Sequence, residues 1–149
     1  MDENMPDDVD HQLTRLVRRS RVRGLRLAAE IDPKLDYSGY LLVHAISESD
    51  QGVRGTDLAE TFGVHKSTIS RAIANLEKLG LTERVPDPLD GRAQLLKLTA
   101  DAEAKIESIR QRGHSWLADI LADWSVEERN AFAASLAHLN DAAERNPVL

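Results

Sequence analysis

The chain has 149 residues, of which 42% are hydrophobic and 30% are charged, and its formal net charge is −6. This balance is typical of one folded domain rather than a disordered chain, and no apolar run reaches the roughly 18 residues of a membrane span. The absence of cysteine excludes disulfides and thiol chemistry, and the polar first residues do not resemble a secretory signal, so we expect a cytoplasmic protein.

Helical patterns fill the first third of the chain. Apolar residues recur at mainly helical spacing over residues 9–31, and Pro33 ends that helix. A second helix is predicted over residues 37–48, followed by turn-forming residues at 49–55. The first helix also carries six arginines within residues 15–26. We expect them to face solvent or to pair with acidic helices; the alternatives are contacts to a DNA backbone or to an anionic ligand.

Residues 56–80 are predicted to form two short helices joined at Gly63. Glycine tolerates the positive φ that a tight turn requires, so the pair has the pattern of a helix-turn-helix. Ile69, Ile73 and Leu76 give the second helix one apolar face. The polar residues that this leaves facing outward are Lys66, Ser67, Thr68, Ser70 and Arg71. Such side chains bond base edges or phosphates in a major groove; the alternative is an ordinary helical hairpin with a solvated face.

A strand-like ribbon follows immediately. Residues 81–85 and 93–98 are predicted strands, and the turn between them places Arg92 at its tip. A ribbon directly after a helix-turn-helix is predicted to be a wing. It either runs along the DNA backbone or reaches the neighbouring minor groove, where an arginine at the tip meets concentrated negative potential. Either Asp87 or Asp90 is expected to hold this arginine, and Asp90 is favoured. The alternative is a surface loop whose charges have no role.

Two further helices are predicted after the ribbon. One covers residues 100–123, and Ser125 and Glu128 have the spacing of a capping box that opens the last helix. The apolar residues that the last helix is expected to bury are Phe132, Leu136, Leu139 and Ala143. The predicted fold is therefore mainly α with a small β-hairpin.

Charge distribution and missing motifs narrow the class of function. Residues 54–98 carry 7 basic and 6 acidic residues, so this part is the relatively basic one of an acidic chain. The chain has no Gly-rich phosphate loop and no nucleophile motif, and its histidines lack the close spacing of metal ligands. We therefore predict no enzymatic activity, no cofactor and no metal. The remaining rival to DNA binding is a winged-helix module that binds only proteins.

The contiguous segment 58–99 resembles the winged helix-turn-helix of the MarR (multiple antibiotic resistance regulator) family. The matching motif is Leu58-Ala59, Gly63, Ser67-Thr68-Ile69-Ser70-Arg71, Leu76-Glu77, Gly80, Asp87, Asp90, Arg92 and Leu98-Thr99. The resemblance implies that residues 1–35 form a dimerisation helix, 36–99 the DNA-binding lobe and 100–149 the remaining dimerisation helices.

The resemblance also implies how such a protein acts. It implies a homodimer that binds double-stranded DNA at a pseudo-palindromic site with half-sites about 10 bp apart. Members of this family are mostly repressors, and a small molecule, often aromatic or phenolic, releases them from DNA. The residues from which we expect such an effector pocket are Tyr37, Tyr40, His44 and Trp116, although aromatic residues at helical spacing are more often core.

Three residues depart from the family pattern, and one of them, Ala102 in place of the glycine usual after the Leu-Thr, is expected to matter little. His65 stands where a serine or threonine commonly caps the recognition helix. Because histidine caps poorly, we expect either a weak cap or a contact to phosphate. Arg54 stands where the first helix of the motif often has its own cap, so the start of that helix is less well defined by sequence.

Overall fold

Six helices and one two-stranded antiparallel sheet make up the fold in the computed structural model, which describes residues 5–146, with side chains from residue 8 onward. Their bounds are α1 (Met5–Ile31), α2 (Tyr37–Ser47), α3 (Gly55–Phe62), α4 (Lys66–Lys78), β1 (Thr82–Pro86), β2 (Gln94–Leu98), α5 (Ala100–Ile120) and α6 (Val126–Arg145). This confirms the predicted fold class. The expected end ranges 1–35 and 100–149 include residues 1–4 and 147–149, which lie outside the described residues. Within the described part, no helix has the length and apolar content needed to cross a membrane.

The chain divides into two compact units, and the boundary falls inside α5 after Ile109. The first unit has one cluster of buried apolar side chains, to which α1 to α5 and β2 all contribute. Ile31, Ile46, Leu76 and Ile106 are among its largest fully buried members. These side chains come from different elements and are buried against one another. The hydrophobic effect therefore holds the helix-turn-helix and the ribbon to the same core.

Local chemistry explains where several helices begin and end. The Asp36 carboxylate caps α2 by accepting a hydrogen bond from the Gly39 N–H at 2.7 Å. Gly63 ends α3 in the left-handed conformation with φ 61°, which confirms the predicted Gly turn. Ser125 and Glu128 form both halves of the predicted capping box at the start of α6, with bonds of 3.1 and 2.8 Å.

Besides its two strands, the ribbon includes a β-bridge to a residue before α3 that the sequence did not predict. β1 and β2 pair antiparallel with Thr82 opposite Leu98. Val53, which precedes α3, adds a bridge to Leu96: its N–H donates at 3.0 Å and its carbonyl accepts at 2.8 Å. A single bridging residue cannot show the alternating pattern by which a strand is recognised in a sequence. Residues 49–55 were therefore predicted only as a turn-rich connection. The bridge joins the start of the helix-turn-helix to the ribbon.

The second unit begins at Arg110 and contains the end of α5 and all of α6. In the single chain α6 has no buried residue, and Phe132 and Leu139 are 44% and 42% exposed, so the expected burial of its apolar face is not met within one chain and stays a prediction. Trp124 packs edge-on against Phe132, with ring centroids 5.5 Å apart. A unit of about 40 residues is too small to enclose a core by itself, which explains the exposure.

Candidate nucleic-acid interface

The helix α4 presents one face to the core and the opposite face to solvent. Ile69, Ile73 and Leu76 are buried, as the helical spacing predicts. The residues expected to read DNA are all exposed, and they are Lys66, Ser67, Thr68, Ser70 and Arg71. Since they occupy the first half of α4, two cationic groups and three hydroxyls are concentrated near the helix N-terminus, where the backbone dipole also favours an anion.

His65 occupies the N-cap position of α4. Its backbone is extended, with φ −65° and ψ 147°, and its side chain makes no capping hydrogen bond. The imidazole is exposed to solvent. The first turn of α4 is therefore left without the side-chain cap that serine or threonine would supply, and the Thr68 N–H donates instead to the His65 carbonyl at 3.0 Å.

Arg92 lies at the exposed tip of the turn between β1 and β2. The Asp90 side chain accepts a hydrogen bond from the Arg92 backbone N–H at 3.1 Å, and the Asp90 carbonyl accepts from the Ala93 N–H at 2.9 Å. Among the described residues, no ion pair joins the Arg92 guanidinium to a carboxylate. Asp90 thus fixes the main chain of the turn and leaves the guanidinium directed to solvent.

Asp87 pairs with Arg54 rather than with Arg92, which removes the less favoured of the two carboxylates that were considered for Arg92. Arg54 Nε donates to Asp87 Oδ2 at 3.0 Å, and Nη2 donates to the same oxygen. The Leu89 N–H bond and the Arg54 guanidinium lower the pKa of Asp87, and the same pairing raises the pKa of Arg54. Arg54 is the N-cap residue of α3 and lies within reach of the turn, which is why it captures this carboxylate.

A second ion pair joins the ribbon to the recognition helix. Arg84 Nε, on β1, donates to Glu77 Oε1, on α4, at 2.6 Å. At the base of the ribbon, the Thr99 hydroxyl donates to the Gly80 carbonyl at 2.8 Å. The ribbon is therefore fixed to α4 by polar contacts in addition to the shared apolar core.

A cleft of about 390 Å³ lies where α3, α4 and β2 meet. Its lining residues are Arg54, Gly55, Thr56, Lys66, Ile69, Ser70, Ala93 and Gln94. Two of these are cationic, none is acidic, and three carry neutral polar side chains. Such a lining can accept a phosphate or sugar of a nucleic-acid backbone through Arg54 and Lys66. Sequence reasoning missed Arg54 and Gln94 as members of this surface, because their proximity to α4 depends on how the chain returns through β2.

The aromatic residues expected near an effector pocket form a row on α2. The rings of Tyr37 and Tyr40 are stacked with centroids 6.4 Å apart, and Tyr40 meets His44 edge-on at 6.2 Å. Arg21 of α1 lies over the Tyr37 ring, 5.3 Å from its centroid. Burial raises the pKa of Tyr40 above its ordinary value of about 10. Trp116 belongs to the second unit, where it is half exposed on α5.

Among the described residues, no group of three or more His, Asp or Glu side chains has the arrangement of a metal site. The cleft between α3, α4 and β2 is lined by cationic, hydroxyl and amide groups together with small or apolar residues. These groups bind through hydrogen bonds and charge, which is the chemistry of phosphate and base recognition.

Comparisons with known proteins match this geometry. A sequence model of the MarR family matches residues 35–93. The HTH-type transcriptional regulator YxaD of Bacillus subtilis is 30% identical over 140 residues, which cover 94% of this chain and 96% of that protein. The transcriptional regulator HosA of Escherichia coli is 30% identical over 100 residues, covering 67% of this chain and 73% of HosA. The crystal structure of MarR is similar over 97% of this chain and 95% of that one, with 28% identity and a TM-score of 0.71.

Proposed function

The chain belongs to the MarR family of DNA-binding transcriptional regulators, and from this premise we propose that it is a homodimeric repressor released from its operator by a small-molecule effector. The relatives that carry the match are transcriptional regulators and not enzymes. The proposal concerns which residues read the DNA, how two copies assemble and what ends the repression. As a regulator of transcription, the protein acts in the cytoplasm, where a bacterial chromosome lies.

One observation carries the proposal: exposed cationic and hydroxyl side chains cover the first half of α4, opposite its buried apolar face. A helix of this kind lies in the major groove with its N-terminal residues against base edges. Arg71 is the residue assigned to a guanine, because its guanidinium has the fork geometry that matches O6 and N7. Lys66 contacts either a base or a phosphate, and His65 is assigned to a phosphate.

The ribbon supplies the second contact of each subunit. Arg92 is exposed at its tip, where its guanidinium forms no ion pair with any residue that the structure describes, and the Asp90 side chain fixes the main chain beneath it. In the proposed complex, this guanidinium lies in the minor groove beside the half-site read by α4. Two such subunits, related by a two-fold axis, would read half-sites about one helical turn apart.

Exposed apolar side chains on the terminal helices support the homodimer. Those on α1 and on the α5–α6 part of the chain are Val9, Leu16, Val17, Val22, Leu25, Trp116, Leu117, Ile120, Trp124, Val126, Phe132 and Leu139. A monomer rarely exposes so much apolar surface on consecutive helices, because burying it in a partner is favourable by about 25 cal/mol per Å². We assign these faces to the contact between two copies of the chain.

The effector is assigned to the aromatic row of α2. Tyr37, Tyr40 and His44 supply stacked rings and polar edges, and Arg21 supplies a cation beside them. These groups suit a small aromatic or phenolic molecule, which stacks on rings and bonds through one or two polar atoms. Trp116, the fourth residue predicted from sequence, lies in the second unit, and its part in binding the effector stays a prediction. Titrating phenol or benzoate against the DNA complex tests this assignment, and dissociation that is lost in Tyr37→Ala is the expected result.

Fluorescence anisotropy with DNA from the promoter region of the protein's own gene, across a salt series, tests DNA reading. We expect Arg71→Ala to weaken specific binding by about 1–3 kcal/mol and to relax sequence choice at one position, because a bidentate base contact is lost. Lys78→Ala is the matched control, since it removes the same charge from the far end of α4, where the side chain is also exposed.

Arg92→Ala should weaken specific and non-specific binding together, because its guanidinium meets groove and backbone in any sequence. Unchanged affinity of Arg92→Ala at every salt concentration would contradict the wing assignment. Absence of specific binding by the unmodified protein would instead favour the rival function, a winged-helix module that binds only proteins.

A further inference from the structure

Asp87 is a buried carboxylate within an otherwise exposed turn. Its side chain is only 4% exposed, whereas Pro88, Leu89 and Asp90 beside it are exposed. Burying a carboxylate is unfavourable unless hydrogen bonds and an opposite charge compensate for the lost water. A buried carboxylate in the turn of a small ribbon is therefore stable only with a specific partner.

The compensation comes from two directions. Arg54 places two guanidinium nitrogens on Asp87 Oδ2, and the Leu89 backbone N–H donates to Oδ1 at 2.8 Å. Arg54 is 33 residues earlier in the sequence and directly precedes α3. The carboxylate is thus bonded at once to the start of the helix-turn-helix and to the turn of the ribbon.

Further hydrogen bonds connect this pair to Arg92. The Asp87 N–H donates to the Ala93 carbonyl at 3.1 Å, and the Ala93 N–H donates to the Asp90 carbonyl at 2.9 Å. The Asp90 side chain then accepts from the Arg92 N–H at 3.1 Å. A short chain of hydrogen bonds therefore runs from Arg54, at the start of α3, to the main chain of Arg92.

We propose that Arg54 and Asp87 are positioning residues for DNA binding, which together hold the ribbon at a fixed place relative to the recognition helix. In the absence of the pair, the Val53 bridge and the Arg84–Glu77 ion pair still hold the strands, but the turn between them is no longer bonded to the start of α3. Arg92 at its tip then samples positions that do not fit the minor groove while α4 occupies the major groove. The conformational entropy of the ribbon is then lost when DNA binds and not when the protein folds, which weakens binding. This inference rests on the proposed function, because it assigns a role within that DNA complex.

A direct phosphate contact is the competing role for Arg54. Its side chain is partly exposed and lines the same cleft as Lys66. The two roles predict opposite signs for Asp87→Asn. Removing a negative charge from a DNA-binding surface strengthens binding by simple electrostatics, and it would also free Arg54 for phosphate. If the pair positions the ribbon, the same substitution weakens specific binding.

The decisive experiment is anisotropy of Asp87→Asn, Arg54→Gln and the double variant with the promoter DNA of the protein's own gene. We expect each single substitution to weaken specific binding roughly tenfold and the double variant to lose no more than one of them, since the two residues act as a unit. The matched control is Glu60→Gln, which removes one exposed acidic group from α3. Its binding should be unchanged or tighter.

Two further variants separate positioning from other roles. Arg54→Lys should retain most of the affinity, because both guanidinium donors converge on a single oxygen that one ammonium group can also reach. Asp87→Asn should add little loss in an Arg92→Ala background, since the tip of the ribbon then carries no arginine to position. Equal losses from Asp87→Asn with and without Arg92 would overturn the inference.

Hydrogen exchange of the unbound protein supplies an outcome independent of DNA. In Arg54→Gln, the amides of Leu89, Arg92 and Ala93 should exchange faster, whereas the amides of α4 should remain protected, which also verifies folding. Unchanged exchange in the turn, or wild-type or tighter DNA binding by Asp87→Asn, overturns the positioning role. If the unmodified protein fails to bind specific DNA while the exchange result holds, the proposed function fails and the coupling of ribbon to helix-turn-helix stands.

Discussion

Asp87 makes stability depend on pH in a direction that its contacts determine. The Leu89 N–H and the Arg54 guanidinium lower its pKa below the ordinary value of about 3.9. A group whose pKa is lower in the folded state contributes stability above its unfolded pKa, and this contribution is lost as the pH falls through the folded pKa. We therefore expect the stability difference between the protein and Asp87→Asn to be full at neutral pH and to shrink below about pH 4.

Urea unfolding of both proteins between about pH 7 and about pH 2.5 measures this difference. Asp57→Asn is the control, because Asp57 is exposed on α3 near Arg54. A stability difference for Asp87→Asn that stays constant to the lowest pH would show that the charge of Asp87 contributes nothing.

The Thr82 side chain differs from that of Asp87, because its buried hydroxyl lacks a hydrogen-bond partner among the described residues. Thr82 is buried at the start of β1, and within the described part of the chain its hydroxyl has no hydrogen-bond partner. An unsatisfied buried hydroxyl costs about 1–3 kcal/mol, and valine has nearly the same shape. We expect Thr82→Val to raise the free energy of unfolding by about 1 kcal/mol, measured by urea unfolding.

Thr99→Val is the matched control for this substitution. The Thr99 hydroxyl donates to the Gly80 carbonyl at 2.8 Å and accepts from the Ala102 N–H at 3.4 Å, so its removal should destabilise the protein. If both threonine-to-valine variants lose stability equally, the interpretation of Thr82 is wrong.

Among the elements, the junction of α3 and α4 depends on the backbone of one residue. Gly63 has φ 61°, and no atom lies within 4 Å of the place where a Cβ would stand. An added methyl group therefore meets no steric clash, and the cost of Gly63→Ala is that of the left-handed conformation, about 1 kcal/mol. Thermal or urea unfolding measures it, and Gly63→Asn should cost less, because asparagine tolerates this conformation.

Gly91 provides the comparison for Gly63. It also has open space around its Cα, but its φ is not in the left-handed region, so Gly91→Ala should leave the free energy of unfolding nearly unchanged. Equal effects at both glycines would show that the turn between α3 and α4 does not require positive φ.

For the molecule as a whole, the exposed apolar faces predict assembly. We expect a species of twice the 16.5-kDa chain mass in sedimentation velocity. Leu25→Glu on α1 and Leu139→Glu on α6 should each weaken self-association at least about tenfold, because each would bury a charge in an apolar contact. Leu89→Glu is the control, since Leu89 is exposed on the ribbon and outside those helices.

A monomer at all micromolar concentrations would contradict the homodimer. It would also remove the explanation for the exposed apolar residues of α6, among them Phe132 and Leu139. The test is independent of DNA, so it separates assembly from the reading of an operator.

Features that depend on a few neighbouring residues were predictable from sequence. The Gly63 turn follows from the φ that only glycine adopts cheaply, and the capping box follows from the spacing of Ser125 and Glu128. The buried face of α4 follows from the helical period of Ile69, Ile73 and Leu76. In each case the interacting groups lie within one or two turns of the chain, so the local sequence contains all the chemistry.

Features that join distant segments were decided by tertiary structure alone. Asp87 was one of two carboxylates considered for Arg92, with Asp90 favoured, and the structure pairs it with Arg54 from the start of α3. The Val53 bridge to Leu96 likewise unites the two ends of the winged region. The identity of a charged or β-bridging residue does not reveal its distant partner. Which residue becomes the partner depends on how the buried core brings the segments together. The sequence by itself determined which helices, turns and outward-facing groups form, and the packing of the core decided which residue holds the ribbon in place.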